Sequence, residues 1–192
     1  MTRARRSPGA WREDGSGWLA AARVVASPNF DARPPGTRVE LLVVHHISLP
    51  PGRFSGDAIE RLFTNRLDAS SHPSFAALRE LRVSAHFLVR RRGELLQFVD
   101  TDRRAWHAGV SRFLDRQRCN DFSIGVELEG DESHRFTEAQ YRRLRRLIAA
   151  LRERHPLRHS DIAPERKRDP GPMFDWARVH AMHEARDLVR PY

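Results

Sequence analysis

Residues 38–46, RVELLVVHH, are apolar and β-branched for most of their length and end in two histidines. A run of this size and composition predicts a strand near the centre of a sheet, covered on both faces. Alternation sets Val39, Leu41, Val43 and His45 on one face and Leu42, Val44 and His46 on the other. Only one of the two histidines therefore points into any given site. Residues 122–129, FSIGVELE, repeat the pattern, with Ile124, Val126 and Leu128 on one face and Ser123, Gly125, Glu127 and Glu129 on the other. Between these two runs, SAHFLVR (84–90) and ELLQFVD (94–100) flank the turn RRG and predict a hairpin.

Helices fill the remaining intervals. Residues 55–67 offer Ile59, Leu62 and Phe63 as an apolar side, and residues 73–81 begin with a proline suited to a first helical turn. Thr137 opens a longer helix with a capping box, TEAQ, and Phe136 as a staple. Its stripe is Tyr141, Leu144, Leu147, Ile148 and Leu151, and it runs to about residue 154. A last helix is expected from Asp175 to about residue 188. An antiparallel hairpin among irregularly alternating strands and helices predicts an α/β (α+β) domain: a central mixed sheet flanked by helices.

The 192 residues suit one domain, with residues 1–16 as a disordered leader and 17–190 as the folded part. No apolar run approaches the roughly 18 residues that cross a bilayer, no apolar segment follows the basic N-terminus as in a signal peptide, and the single cysteine, Cys119, cannot form an internal disulfide. A cytoplasmic protein that needs no membrane is expected. The formal net charge of +9 raises the question of nucleic acid, but the basic residues are spread along the chain and interleaved with acids. Nucleic-acid binders cluster such charge, so attraction of a small acidic substrate is the better use for it. Of the 34 basic residues only Lys167 is lysine. Where arginine replaces lysine so generally, the exception suggests a need for a compact ammonium, with chance survival as the alternative.

Chemistry-bearing side chains concentrate in residues 158–176, RHSDIAPERKRDPGPMFDW. The stretch is too rich in proline for a helix and too polar for a buried strand, so it reads as a functional loop. A catalytic zinc takes three ligands from histidines and carboxylates. His159 and Asp169 in this loop, with His45 at the end of its strand, are the candidates. Loop polarity and a strand-end histidine are the plain alternatives. Glu127 lies within an apolar strand, where burial disfavours the charged form and raises the pKa, as suits a general base; a structural ion pair with an arginine is its alternative. Glu129, next to Gly130, is expected in solvent. His86 and His107 read as structural hydrogen-bonding residues, Trp106 as a stacking platform or core, Asp161 as a turn residue and Cys119 as inert.

Five segments, taken together, resemble one family. LLVVHHISLPPG, LRVSAHFLVRRRGE, RAWHAGVS, RCNDFSIGVELEG and HSDIAPERKRDPGPMFDWAR are similar, in order and almost without gaps, to AmpD-type 1,6-anhydro-N-acetylmuramoyl-L-alanine amidases. These belong to the zinc amidase superfamily that includes peptidoglycan recognition proteins. The resemblance spans about residues 17–179. It implies one zinc per chain on His45, His159 and Asp169, a catalytic Glu127 and Lys167, and substrate contacts at Arg82, Trp106, Arg118 and Ala163. It also implies a monomer acting on a small anhydro-muropeptide in cytoplasmic peptidoglycan recycling, with an indirect link to β-lactamase induction in some bacteria. Two features depart from the pattern. His46 stands where relatives often carry Asn and is expected on the cleft wall, and RHPLRHSD makes a shorter connection into the loop. A non-catalytic muropeptide-binding protein of the same fold is the alternative reading.

Overall fold

In a computed structural model of the chain, residues 11–157 and 170–179 are described. The chain forms β1 (Arg23–Val24), β2 (Phe30–Ala32), β3 (Leu41–Ile47), α1 (Ala58–Phe63), a 3-10 turn (Pro73–Leu78), β4 (Phe87–Val89) and β5 (Leu95–Gln97). It continues through β6 (Arg103–Ala105), β7 (Arg112–Phe113), β8 (Arg116–Gln117), β9 (Ser123–Glu129) and α2 (Glu138–Arg154). Five strands build the main sheet in the order β1-β5-β4-β9-β3. The β3–β9, β4–β9 and β1–β5 pairs are parallel, and the β4–β5 hairpin is antiparallel, so the sheet is mixed as expected.

The pleat sorts the side chains into two layers. On one face Leu42, Val44, Phe87, Val89, Ile124, Val126 and Leu128 pack against Tyr141, Leu144, Leu147, Ile148 and Leu151 of α2. Each such fully buried aliphatic side chain contributes about 1.5–3 kcal/mol. On the other face Leu88 and Leu96 meet Ile59, Leu62 and Phe63 of α1, while Leu41 and Val43 meet Cys119 and Phe122. Every residue of β9 is buried, as its position between β3 and β4 requires.

The capping box at Thr137 and Gln140 is present on both sides. Gln140 does more than cap: its fully buried amide also donates to the carbonyls of Val89 and Glu129, which ties α2 to the ends of two strands. Helix limits differ from the expectation. The segment expected over 55–67 is helical only over Ala58–Phe63, because Gly56 and Asn65 take positive φ on either side of it. The segment expected over 73–81 is a 3-10 turn over Pro73–Leu78 with only Phe75 buried, too little apolar stripe to sustain an α-helix. At the N-terminus, the stretch expected to be a leader is described from Trp11, and there it folds back. Trp11 bridges Leu19 in antiparallel fashion, packs on the core and lies under the Arg154 guanidinium. The last helix is described only at its start, and the rest lies outside the described residues.

Candidate active site

The site begins with the register of two strands. β3 and β9 run parallel with His45 opposite Glu127, so the two side chains stand together on the face turned away from α2. Both are largely buried, His45 at 2% exposure and Glu127 at 9%. They sit toward the C-terminal ends of their strands, where open sheets with parallel strands place binding sites. A cleft of about 680 Å³ opens there. His46, Glu127 and Glu132 supply polar groups to it, Phe63, Leu78 and Leu81 an apolar wall, and Trp106 a flat indole. His46 lines the cleft as well, although alternation sets it on the opposite face of the strand from His45.

Behind His45 stands a row of histidines. His45 Nε2 lies 3.0 Å from His107 Nδ1, and His107 Nε2 lies 3.1 Å from the Ser123 hydroxyl. That hydroxyl donates to the Cys119 carbonyl at 2.5 Å. His86 sits on the far side of His107 with ring centroids 5.8 Å apart. His86 Nδ1 accepts from the Gly125 amide, and its Nε2 lies 3.0 Å from the Arg103 carbonyl. Burial, with the nearby Arg33 guanidinium second, pushes the pKa of His86 down to about 3, so the ring is neutral. Gly125 explains how the row fits. A Cβ there would lie 2.3 Å from the His107 ring, so only glycine lets the imidazole rest on the strand. Asn120 holds the AWHAG segment in place by accepting from the backbone amides of His107 and Ala108.

The two glutamates of β9 have different surroundings, and one expectation is corrected. Glu129 is not in solvent: it is 2% exposed, accepts from Arg90 at 2.9 Å and from the Arg91 amide at 3.0 Å. The cause is β4, whose end delivers Arg90 beside it. Arg90 also donates to Glu60. Burial alone would raise the Glu60 pKa, but hydrogen bonds from Arg23 and Arg90 bring it below the usual carboxylate value. Glu129 is therefore the structural ion-pair residue, and Glu127 is the one that lines the cleft.

Trp106 reaches the cleft. Arg82 is exposed next to the cleft residues Leu81 and Val83, with its guanidinium on the Arg79 and Leu81 carbonyls. Arg118 takes a left-handed backbone conformation, and its exposed side chain pairs with Asp121. Cys119 is fully buried, and burial raises its pKa, in keeping with an inert thiol. His159, Asp161, Ala163, Lys167 and Asp169 lie outside the described residues. The chain that flanks them is anchored: His155 caps the end of α2, and on the C-terminal side Phe174 packs on Phe136 and Tyr141 while the Asp175 amide donates to the Tyr141 hydroxyl. Among the described residues no three metal-binding side chains converge. Sequence reasoning missed the Ser123–His107–His45 row. Its signal was a glycine inside an otherwise buried strand.

The family model for N-acetylmuramoyl-L-alanine amidase matches residues 35–172, which include both strands of the site and the 158–169 segment. The chain belongs to the N-acetylmuramoyl-L-alanine amidase family. Among its relatives is the 1,6-anhydro-N-acetylmuramyl-L-alanine amidase AmpD of Citrobacter freundii, 55% identical over 172 residues, 86% of this chain and 92% of that one. A crystal structure of a selenomethionine AmpD derivative superposes with a TM-score of 0.82 at 55% identity, covering 86% of this chain and 96% of that one. The amidase AmiD of E. coli, solved in complex with the substrate anhydro-N-acetylmuramic acid-L-Ala-D-gamma-Glu-L-Lys, is 30% identical with a TM-score of 0.54. It shares 79% of this chain and 59% of its own. The central mixed sheet flanked by helices is accordingly the fold of this family.

Proposed function

We propose that this amidase hydrolyses the amide between the lactyl group of 1,6-anhydro-N-acetylmuramic acid and L-alanine of the stem peptide, with zinc held by His45, His159 and Asp169. The observation that carries the reading is the His45–Glu127 pair, in register on neighbouring parallel strands, with Glu127 lining the cleft. The names of the AmpD relatives support the substrate. The donor set fits the metal: two imidazoles and a carboxylate leave a position open, as catalytic zinc sites do. His45 also suits a ligand, being held on a central strand with its Nε2 engaged by His107. Bound zinc supplies a Lewis acid and brings the pKa of water toward about 7.

Glu127 takes the proton of the attacking water, whose oxygen bonds to the amide carbon. As the C–N bond breaks, Glu127 returns that proton to the leaving L-alanine nitrogen. The Lys167 ammonium faces the charge that develops on the carbonyl oxygen, a contribution of about 3–4 kcal/mol for a donor so placed. Arg82 and Arg118 pair with stem-peptide carboxylates, for which the guanidinium fork is suited. Trp106, His46 and the backbone of Ala163 complete the contacts. The reaction belongs to cytoplasmic muropeptide recycling and needs one copy of the chain.

Mass analysis of products from an anhydro-muropeptide tests the reading. Free stem peptide and anhydro-N-acetylmuramic acid are expected, formed by protein carrying about one zinc per chain and suppressed by chelation. Full activity in metal-free protein overturns it.

A further inference from the structure

The histidine row has a direction, and the direction reaches His45. A carbonyl oxygen can only accept, so the Cys119 carbonyl takes the one hydroxyl proton of Ser123. Toward His107 that hydroxyl is left to accept, which puts the proton of His107 on Nε2. A neutral His107 then has its lone pair on Nδ1 and accepts from His45 Nε2 at 3.0 Å. His45 is thereby the Nε2–H tautomer, with its own lone pair on Nδ1. The order reverses only if His107 carries both protons, which would leave a cation pressed against the buried Gly125 backbone and His86.

We propose that His107, backed by Ser123, is a positioning residue that fixes the tautomer and the ring orientation of His45, so that Nδ1 is the nitrogen offered to the metal. The proposal rests on the reading of His45 as a ligand. Outer hydrogen bonds of this kind commonly hold a ligating histidine in one orientation and raise its basicity. Here the holding device is built from two separated stretches, the segment that carries His107 and strand β9. Residue 107 gives the acceptor, residue 123 its backing hydroxyl, and residue 125 the missing side chain that admits the ring.

The test uses the full-length chain labelled with 15N at histidine, zinc-loaded and chelator-treated, together with zinc competition against a chelating dye. Wild type is expected to show a pyridine-type Nδ1 and a pyrrole-type Nε2 at His45 before loading, and a metal-shifted Nδ1 after it. Ser123→Ala and His107→Phe should each weaken zinc binding about 10–100-fold and blur the His45 tautomer. His107→Gln, whose amide can accept from His45 and donate to Ser123, should recover most of the affinity. Gly125→Ala, which pushes the ring away without removing it, should resemble His107→Phe, and circular dichroism checks that each variant is folded. Ligation through His45 Nε2, or wild-type zinc affinity in Ser123→Ala and His107→Phe, overturns the proposal. A chain that binds no zinc yet keeps the Nε2–H tautomer at His45 overturns the zinc reading and leaves the hydrogen-bond order standing.

Discussion

Glu127 and Glu129 are two residues apart on one face of one strand, yet they answer different needs. Glu129 neutralises Arg90 in a buried pair, and Glu127 faces the cleft. The two carboxylates should therefore separate activity from stability. Glu129→Ala leaves Arg90 without one of its two buried carboxylates and is expected to destabilise the fold by about 3–5 kcal/mol, read as a lower midpoint in urea. Turnover by the protein that remains folded should be near normal. Glu127→Gln should fold with an almost unchanged midpoint and keep zinc, but lose about 10²–10⁴-fold in kcat, the usual share of a general base. If the two losses were exchanged, the assignment of roles would be wrong. Lys167→Arg is the companion case: charge is kept but the compact ammonium is not. A clear drop in kcat is expected, and unchanged kinetics would make the lone lysine an accident of composition.

At the scale of elements, α2 shows how a local signal becomes a global one. Thr137 accepts from the Gln140 amide, and its hydroxyl donates to the Arg91 carbonyl at 2.6 Å, so the cap is also a tether to the β4–β5 turn. Thr137→Ala should cost about 1–2 kcal/mol, at the upper end for a cap because the tether goes with it, and thermal unfolding will show it. A loss within error would mean the cap is replaced by water. The same element shows what was legible in the sequence. RVELLVVHH, FSIGVELE and the TEAQ helix were readable because each carries a full period of its pattern over seven or more residues. The β2–β6 and β7–β8 pairs were not, since two or three partly exposed residues carry no period. In the site, alternation placed His45 and Glu127 correctly on their faces. It could not foresee that Arg90, just past β4, would claim Glu129, because that neighbour lies 39 residues away in sequence. Nor could it pair His107 with His45 across 62 residues, although Gly125 marked the place where the ring would lie.

The molecule as a whole should be acid-sensitive in a window that its histidines set. Burial lowers the pKa of His86 to about 3 and that of His155 to about 4, from 6.5 in each case. Both are neutral in the folded chain, and in the unfolded chain both take up a proton near pH 6.5. Their contribution to stability is therefore complete above that pH and lost as pH falls from about 6.5 toward 4 and 3. At about 1.4 kcal/mol per pKa unit, each histidine has withdrawn roughly 2 kcal/mol by pH 5. Carboxylates with lowered pKa values, such as Asp31 hydrogen-bonded by Arg104, act only as pH approaches and passes below the ordinary aspartate value of 3.8. The window between pH 6.5 and 4.5 thus isolates the histidines. His155 gives the cleaner arm because it bonds Thr101, away from His45 and the cleft. His155→Gln can keep that bond without a titrating group. The unfolding midpoint of the wild type is expected to fall steeply between pH 6.5 and 5, and that of His155→Gln to fall less. Equal slopes for the two proteins would remove His155 from the account, and a flat wild-type profile would remove both histidines. Because the sheet that buries His86 also carries His45 and Glu127, the loss of fold at low pH should take the cleft with it. Activity and fold should then fail together on acidification.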